Sequence, residues 1–126
     1  MSVPEVQIDE LRQRYADVRT QALPGGGTLV TIGSVPLPAG WSKASSSIRF
    51  LAPAGYPFAA PDCFWADNDL LLEGGRMPGS AGNNNVIPET TESGLWFSWH
   101  LQGWNPNRDT LSSWMNTIAD RLRRLQ

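Results

Sequence analysis

The hydrophobic residues near the start of the chain recur at helical spacing. They lie three or four positions apart: Ile8, Leu11, Tyr15 and Val18. This is the period of one helix face. Ser2 and Pro4 suit the beginning of a helix. The pattern therefore predicts an amphipathic helix that begins near Pro4 and ends near Arg19.

Three short stretches then have the composition or the alternation of strands. Residues 28–32 are rich in β-branched side chains. In residues 46–51, Ile48 and Phe50 alternate with polar residues, which is typical of a half-buried strand. A third strand is predicted at residues 62–66. No helical pattern separates the three, so we expect an antiparallel meander and not a parallel sheet.

Residues 67–93 are rich in glycine, proline and asparagine and show little periodicity. A connection of this length in a compact domain is usually functional or mobile. We therefore interpret it as a long irregular active-site segment.

The last hydrophobic pattern is the most regular of the chain. One helical stripe carries six apolar residues: Leu111, Trp114, Met115, Ile118, Leu122 and Leu125. Asp109 or Thr110 can cap the start of this helix. The expected fold class is α+β, with an N-terminal helix, an antiparallel meander, the irregular segment and a C-terminal helix in one domain, 1–126.

Composition narrows the class of protein. The 126 residues are 40% hydrophobic and 17% charged, which is typical of one globular domain. A net charge of −2 disfavours a nucleic-acid partner. No apolar stretch approaches the roughly 20 residues that span a bilayer, and no secretory signal is visible. We expect a cytoplasmic protein without a membrane partner.

Cysteine and histidine each occur once, as Cys63 and His100. A single cysteine excludes an internal disulfide. One cysteine with one histidine cannot build the usual structural zinc site. We therefore expect neither a metal nor another cofactor.

Two motifs carry a resemblance to a known family. Tyr56-Pro57-Phe58-Ala59-Ala60-Pro61 and Trp104-Asn105-Pro106, in this order of elements, resemble the ubiquitin-conjugating enzymes. Pro61-Asp62-Cys63-Phe64-Trp65 and Phe97-Ser98-Trp99-His100-Leu101 are similar to a bacterial branch of this UBC-like superfamily, the prokaryotic family E. The resemblance covers nearly the whole chain and implies the UBC-like fold.

The resemblance also implies an activity. Such a protein is an acyl transferase that accepts the activated C-terminus of a ubiquitin-like protein from a ThiF-type adenylating enzyme. It then passes the carbonyl group to an amine of a target protein. The implied partners are thus the ubiquitin-like protein, its activating enzyme and the target.

The acceptor residue departs from the family pattern. Ubiquitin-conjugating enzymes use a cysteine shortly before Trp-x-Pro, but residues 93–103 contain none. Cys63 stands where these enzymes have an apolar core residue, and we predict that it is a buried small hydrophobe. Ser98 and His100 are two positions apart, so an extended backbone presents both side chains on one face. Since an imidazole can take the proton of a serine hydroxyl, the expected intermediate is an oxyester on Ser98 with His100 as base.

Further catalytic groups are less constrained by the sequence. Asn84, or its neighbours Asn83 and Asn85, could donate an amide hydrogen to the oxyanion. The His-Pro-Asn motif of the family is absent. Glu89, Glu92 or Asp109 could orient His100 or deprotonate an incoming lysine, and no spacing selects one of them.

Three alternatives remain open at this point. The chain could be a catalytically inactive UBC-like module that binds the ubiquitin-like protein or its activating enzyme. Acyl transfer could instead run through Cys63. A serine hydrolase is disfavoured, because no Gly-x-Ser-x-Gly motif surrounds Ser98.

Overall fold

A computed structural model describes residues 3–101 and 103–126. Two helices flank six strands in chain order: α1 (Glu5–Arg14), β1 (Val18–Ala22), β2 (Thr28–Pro36), β3 (Ser45–Ala52), β4 (Phe64–Ala66), β5 (Ala81–Val86), β6 (Ser93–Phe97) and α2 (Leu111–Leu122). The strands form one sheet in the order β1-β2-β3-β4-β6-β5, and each pairing is antiparallel. This arrangement confirms the predicted α+β class and is consistent with a UBC-like fold. Ser2 lies outside the described residues.

The first helix is shorter than predicted, because its last predicted turn is a strand. The helix ends at Arg14, and Val18 begins β1 opposite Ile32 of β2. A tight turn makes this hairpin: the Leu23 N–H donates to the Gly27 carbonyl at 2.9 Å, and Gly26 adopts a φ of 96°. Glycine takes that backbone conformation without steric cost. Pairing with β2 therefore outweighs the helical spacing of Val18.

The two strands predicted at residues 28–32 and 46–51 are confirmed, and each extends further than expected. β2 runs nine residues with a register shift between Ile32 and Val35. In β3 the predicted alternation holds, with Ile48 and Phe50 completely buried. This alternation assigns one face of the sheet to the main core.

Both helices contribute to that main core, which lies on one face of the sheet. Ile8 and Leu11 of α1 and Trp114 of α2 pack in one cluster with β2, β3, β4 and β6. Inside it the rings of Phe64 and Phe97 stack with their centroids 4.6 Å apart. A smaller cluster forms separately from Leu23, Leu29, Trp65 and Ile87.

The cap predicted for the C-terminal helix is confirmed at Thr110. Its hydroxyl accepts the Ser113 N–H, and the Ser113 hydroxyl accepts the Thr110 N–H in return. The helix ends at Leu122, so Leu125 lies beyond it and is 46% exposed. Of the helices in the described part of the chain, neither is long and apolar enough to cross a membrane.

The segment 67–93 is more regular than its composition predicts. It contains β5, and β6 begins at Ser93. Residues 83–86 are exposed, so β5 shows no apolar alternation and is held by its pairing with β6.

The third predicted strand, at residues 62–66, is shorter than expected. Cys63 has a φ of 62°, outside the β region, and β4 begins only at Phe64.

Candidate functional site

The chain that follows β6 is held on both sides beyond the end of the strand. Phe97, the last residue of β6, is paired with Phe64 of β4. The Cys63 N–H then donates to the Trp99 carbonyl at 2.9 Å, and the Ser98 N–H donates to the Ser80 carbonyl at 2.8 Å. Residues 98–100 therefore lie between the start of β4 and the start of β5.

Side chains of this segment alternate between two faces. Phe97, Trp99 and Leu101 pack in or against the main core. The period of an extended chain directs Ser98 and His100 to the opposite face. Ser98 is half-buried and His100 is exposed. The shared outer face of Ser98 and His100 follows from this alternation and stays a prediction.

Arg121 of α2 supports the inner face of the same segment. Its side chain is buried, and the guanidinium carbon lies 5.0 Å from the ring centroid of Phe97 and 5.5 Å from that of Trp99. Its Nη2 donates to the Gly79 carbonyl at 2.7 Å. Burial lowers the pKa of this guanidinium, and the nearby charge of Arg124 lowers it further. Arg121 therefore anchors the inner side of the candidate site to α2.

His100 has Asp62 as its partner on the outer face. Its Nδ1 is in direct contact with Oδ1 of Asp62, and the two side chains are 56% and 63% exposed. An ionised carboxylate can only accept a hydrogen bond, so it favours the tautomer in which Nδ1 carries the proton. Nε2 then keeps its lone pair and is free to take a proton. Among the described residues, no hydrogen bond joins His100 to Ser98 directly.

Asp62 could not be assigned this role from the sequence, because it lies 38 positions before His100. The three acids considered from the sequence are engaged elsewhere. Glu89 accepts the Gly25 N–H at 2.7 Å, Glu92 pairs with Arg49 at 2.7 Å, and Asp109 accepts the Asn105 N–H at 2.8 Å. The pairing of β4 with β6 is what brings Asp62 to His100.

Cys63 is buried, as predicted, yet it lies beside this pair. Its Sγ, a carboxylate oxygen of Asp62 and a ring nitrogen of His100 all lie within 4.8 Å of one another. Burial raises the pKa of the Cys63 thiol, so the neutral thiol is favoured over the thiolate. The structure thus adds a sulfur atom to the neighbourhood of the histidine.

Asn84 lies further away along β5. Gly82 is opposite Trp96 and Asn85 is opposite Gly94, so Asn84 falls between these pairs. At about 3.3 Å per residue, this level is roughly 10 Å from Ser98 along β6. Its backbone N–H donates to Asn68 at 2.7 Å. The role of Asn84 as oxyanion donor stays a prediction, and it requires the exposed bulge of β5 to rearrange.

Comparison with known families supports the same superfamily as the motifs. The model of the family described as Prokaryotic E2 family E matches residues 4–125. No match is found among the curated proteins or the solved structures.

Proposed function

Since the chain belongs to the prokaryotic E2 family E, we propose that it carries the C-terminus of a ubiquitin-like protein as an oxyester on Ser98 and passes it to a target amine. Membership of the family gives the coarser role, a ubiquitin-conjugating-like transferase that interacts with a ubiquitin-like protein and an activating enzyme. We propose three finer points: that Ser98 is the acceptor residue, that the intermediate is an oxyester, and that the pathway is a bacterial conjugation pathway.

The contact between His100 and Asp62 is the observation that carries it. A serine hydroxyl is a weak nucleophile unless a base takes its proton, and a base works best when a third group fixes its tautomer. Asp62 meets that requirement at Nδ1 of His100. Phe97 and Trp99 pack in or against the core, and an extended backbone between them directs Ser98 to the same face as His100. The three side chains have the nucleophile, base and orienting group that acyl transfer needs.

The proposed reaction has two transfer steps. Ser98 Oγ attacks the activated carbonyl carbon while its proton moves to Nε2 of His100, and the bond to the activating group breaks. The proton on Nε2 then leaves with that group. In the second step the target amine attacks the ester carbonyl and gives one proton to Nε2 of His100, which passes it to Oγ of Ser98 as the carbon–Oγ bond breaks. Asp62 stabilises the imidazolium in both steps.

Cys63 is the competing acceptor at the same place. Its sulfur is within 4.8 Å of the ring nitrogen of His100, which favours it. Its burial and raised pKa disfavour it, because the nucleophile is the thiolate and the incoming C-terminus must reach the sulfur. Ser98 is less buried than Cys63.

The test is to mix the protein with its activating enzyme, the ubiquitin-like protein and ATP, and to measure intact mass. We expect an increase by one ubiquitin-like unit that survives thiol reductant and is removed by hydroxylamine or mild base. Ser98→Ala should abolish the adduct. Ser34→Ala, at an exposed serine of β2, is the matched control and should retain it.

Other outcomes of this experiment point to different functions. An adduct that reductant removes and Cys63→Ser abolishes would assign the acceptor to Cys63. Binding of the ubiquitin-like protein or its activating enzyme without any adduct would assign a non-catalytic module. An adduct that persists in Ser98→Ala contradicts the oxyester on Ser98.

A further inference from the structure

Three different donor atoms meet beside the start of β4. They are the sulfur of Cys63, a carboxylate oxygen of Asp62 and a ring nitrogen of His100, all within 4.8 Å of one another. Ligands bind Zn²⁺ at about 2.0–2.3 Å, so neighbouring ligand atoms of a tetrahedral site are roughly 3.3–3.8 Å apart. The sulfur therefore needs to approach the other two donors by at most about 1 Å, and Nδ1 of His100 and Oδ1 of Asp62, which are in direct contact, need to separate to admit the ion.

The backbone already places the three donor residues next to one another. Asp62 and Cys63 are adjacent in the chain, and the Cys63 N–H donates to the Trp99 carbonyl at 2.9 Å, one residue before His100. Phe64, which follows Cys63, is paired with Phe97, which lies shortly before His100. A site at paired strand ends loses little conformational freedom when a cation binds.

Burial and charge at the cluster also suit a cation. The sulfur lies inside, whereas Asp62 and His100 are 63% and 56% exposed, which leaves a side open to water. Within the described part of the chain, the ion pair of Asp62 is with His100, and neither lysine nor arginine neutralises its carboxylate. A thiolate, an imidazole and a carboxylate together match Zn²⁺ and disfavour Mg²⁺ and Ca²⁺.

We propose that Asp62, Cys63 and His100 form a three-ligand site for Zn²⁺, completed by water. This open site differs from the closed four-ligand structural sites that the sequence excludes. The ion takes the position between Nδ1 of His100 and Asp62 that a proton holds in the metal-free protein. As a consequence that rests on the proposed function, an ion on Nδ1 leaves the imidazole proton on Nε2, so His100 cannot take the proton of Ser98 and acyl transfer stops.

Cobalt spectroscopy tests the binding independently of any activity. Titration of the metal-free full chain with Co²⁺ should give a thiolate-to-cobalt charge-transfer band and the visible bands of a four-coordinate ion, and Zn²⁺ should displace both. Cys63→Ser and Cys63→Ala should each abolish the charge-transfer band. Asp62→Asn and His100→Gln should each weaken binding at least about tenfold. Asp9→Asn, at an exposed carboxylate of α1, is the matched control and should bind as the wild type does.

The binding proposal is overturned if the wild type gives no charge-transfer band, or if the band survives in both Cys63 variants while circular dichroism shows them folded. It is also overturned if Asp62→Asn and His100→Gln bind cobalt as tightly as the wild type. Adduct formation by zinc-loaded, desalted protein tests the regulatory consequence. We expect at least about a tenfold slower rate, because the general base is blocked, and a chelator should restore it. Absence of any adduct from metal-free protein would refute the proposed function and leave the cobalt result standing.

Discussion

Trp104 donates its indole N–H to the carbonyl of Pro57 at 2.7 Å. The rings of Tyr56 and Trp104 lie beside this bond, with centroids 5.8 Å apart. The two sequence motifs that resemble ubiquitin-conjugating enzymes, Tyr-Pro and Trp-x-Pro, therefore meet in space. The Tyr56 hydroxyl in turn contacts Gln7 of α1, and the Gln7 side chain accepts the Leu111 N–H at 3.0 Å. The motifs thus tie both helices to the loop before β4.

Trp104→Phe should destabilise the fold by removing the bond to Pro57. A hydrogen bond of this kind contributes about 0.5–1.5 kcal/mol, and the loss of ring volume adds to that. We expect the free energy of unfolding to fall by about 1–2 kcal/mol. Urea unfolding followed by circular dichroism measures it.

Trp65→Phe provides the control for this change. The buried Trp65 indole N–H has no hydrogen-bond partner in the described structure, so the same substitution removes ring volume without removing a bond. It should cost less than Trp104→Phe. An equal or larger loss at Trp65 would contradict the prediction for Trp104.

Arg121→Ala should loosen the inner side of the candidate site. The substitution removes the stacking on Phe97 and Trp99 and leaves the Gly79 carbonyl without its donor. We expect a loss of about 2–4 kcal/mol in the free energy of unfolding, because a cavity and an unpaired carbonyl both result. Arg123→Ala removes an exposed ion pair with Asp120 and should stay within about 0.5 kcal/mol of wild type. Similar losses in the two variants would contradict an anchoring role for Arg121.

Ser98→Cys should change the chemistry of the adduct without moving it. A thiol at this position accepts the same carbonyl, and the product is a thioester. We therefore expect the mass shift to persist but to become sensitive to reductant, which intact-mass spectrometry detects directly. The variant should also carry Cys63→Ala, so that the native thiol cannot contribute to the adduct. A hydroxylamine-sensitive adduct that resists reductant in the double variant would show that the acceptor lies elsewhere.

Asp67 should make part of the free energy of unfolding depend on pH. Partial burial raises the pKa of its carboxyl, but hydrogen bonds from Lys43, at 2.8 Å, and from Ser47 outweigh that effect and lower the pKa below its usual value. A carboxyl with a lowered pKa in the folded state stabilises the fold above its unfolded pKa. This contribution is lost as pH falls through the folded value.

Urea unfolding at a series of pH values from about 7 to about 2 measures this dependence. Asp67→Asn should be less stable than wild type at neutral pH, and the difference should shrink below about pH 4. Asp9→Asn is the exposed control and should keep the wild-type profile. A constant difference between wild type and Asp67→Asn across the series would refute the prediction.

Elements that depend on local pattern could be predicted from the sequence. The C-terminal helix follows from its apolar stripe and from the cap at Thr110, both contained within a few turns. The alternation of Ile48 and Phe50 in β3 likewise needs no knowledge of distant residues. The same local reasoning predicts a shared face for Ser98 and His100, because it follows from the period of an extended chain.

Elements that depend on register could not be predicted. β5 is exposed and rich in asparagine, and only its pairing with β6 makes it a strand. Val18 fits a helical spacing, but its position opposite Ile32 decides its conformation. Asp62 reaches His100 because β4 and β6 pair in one particular register, which no local pattern encodes.

The pairing between β3 and β4 is the shortest in the sheet. Their ladder consists of the single pair Arg49 and Trp65, whereas β1, β2 and β3 pair along most of their length. Local unfolding between β3 and β4 would separate β4, β5 and β6, which surround the candidate site, from β1, β2 and β3. Amide protons of β6 should therefore exchange with solvent through a smaller opening than those of β2. The shortest pairing of the sheet thus lies beside the strands that carry the candidate site.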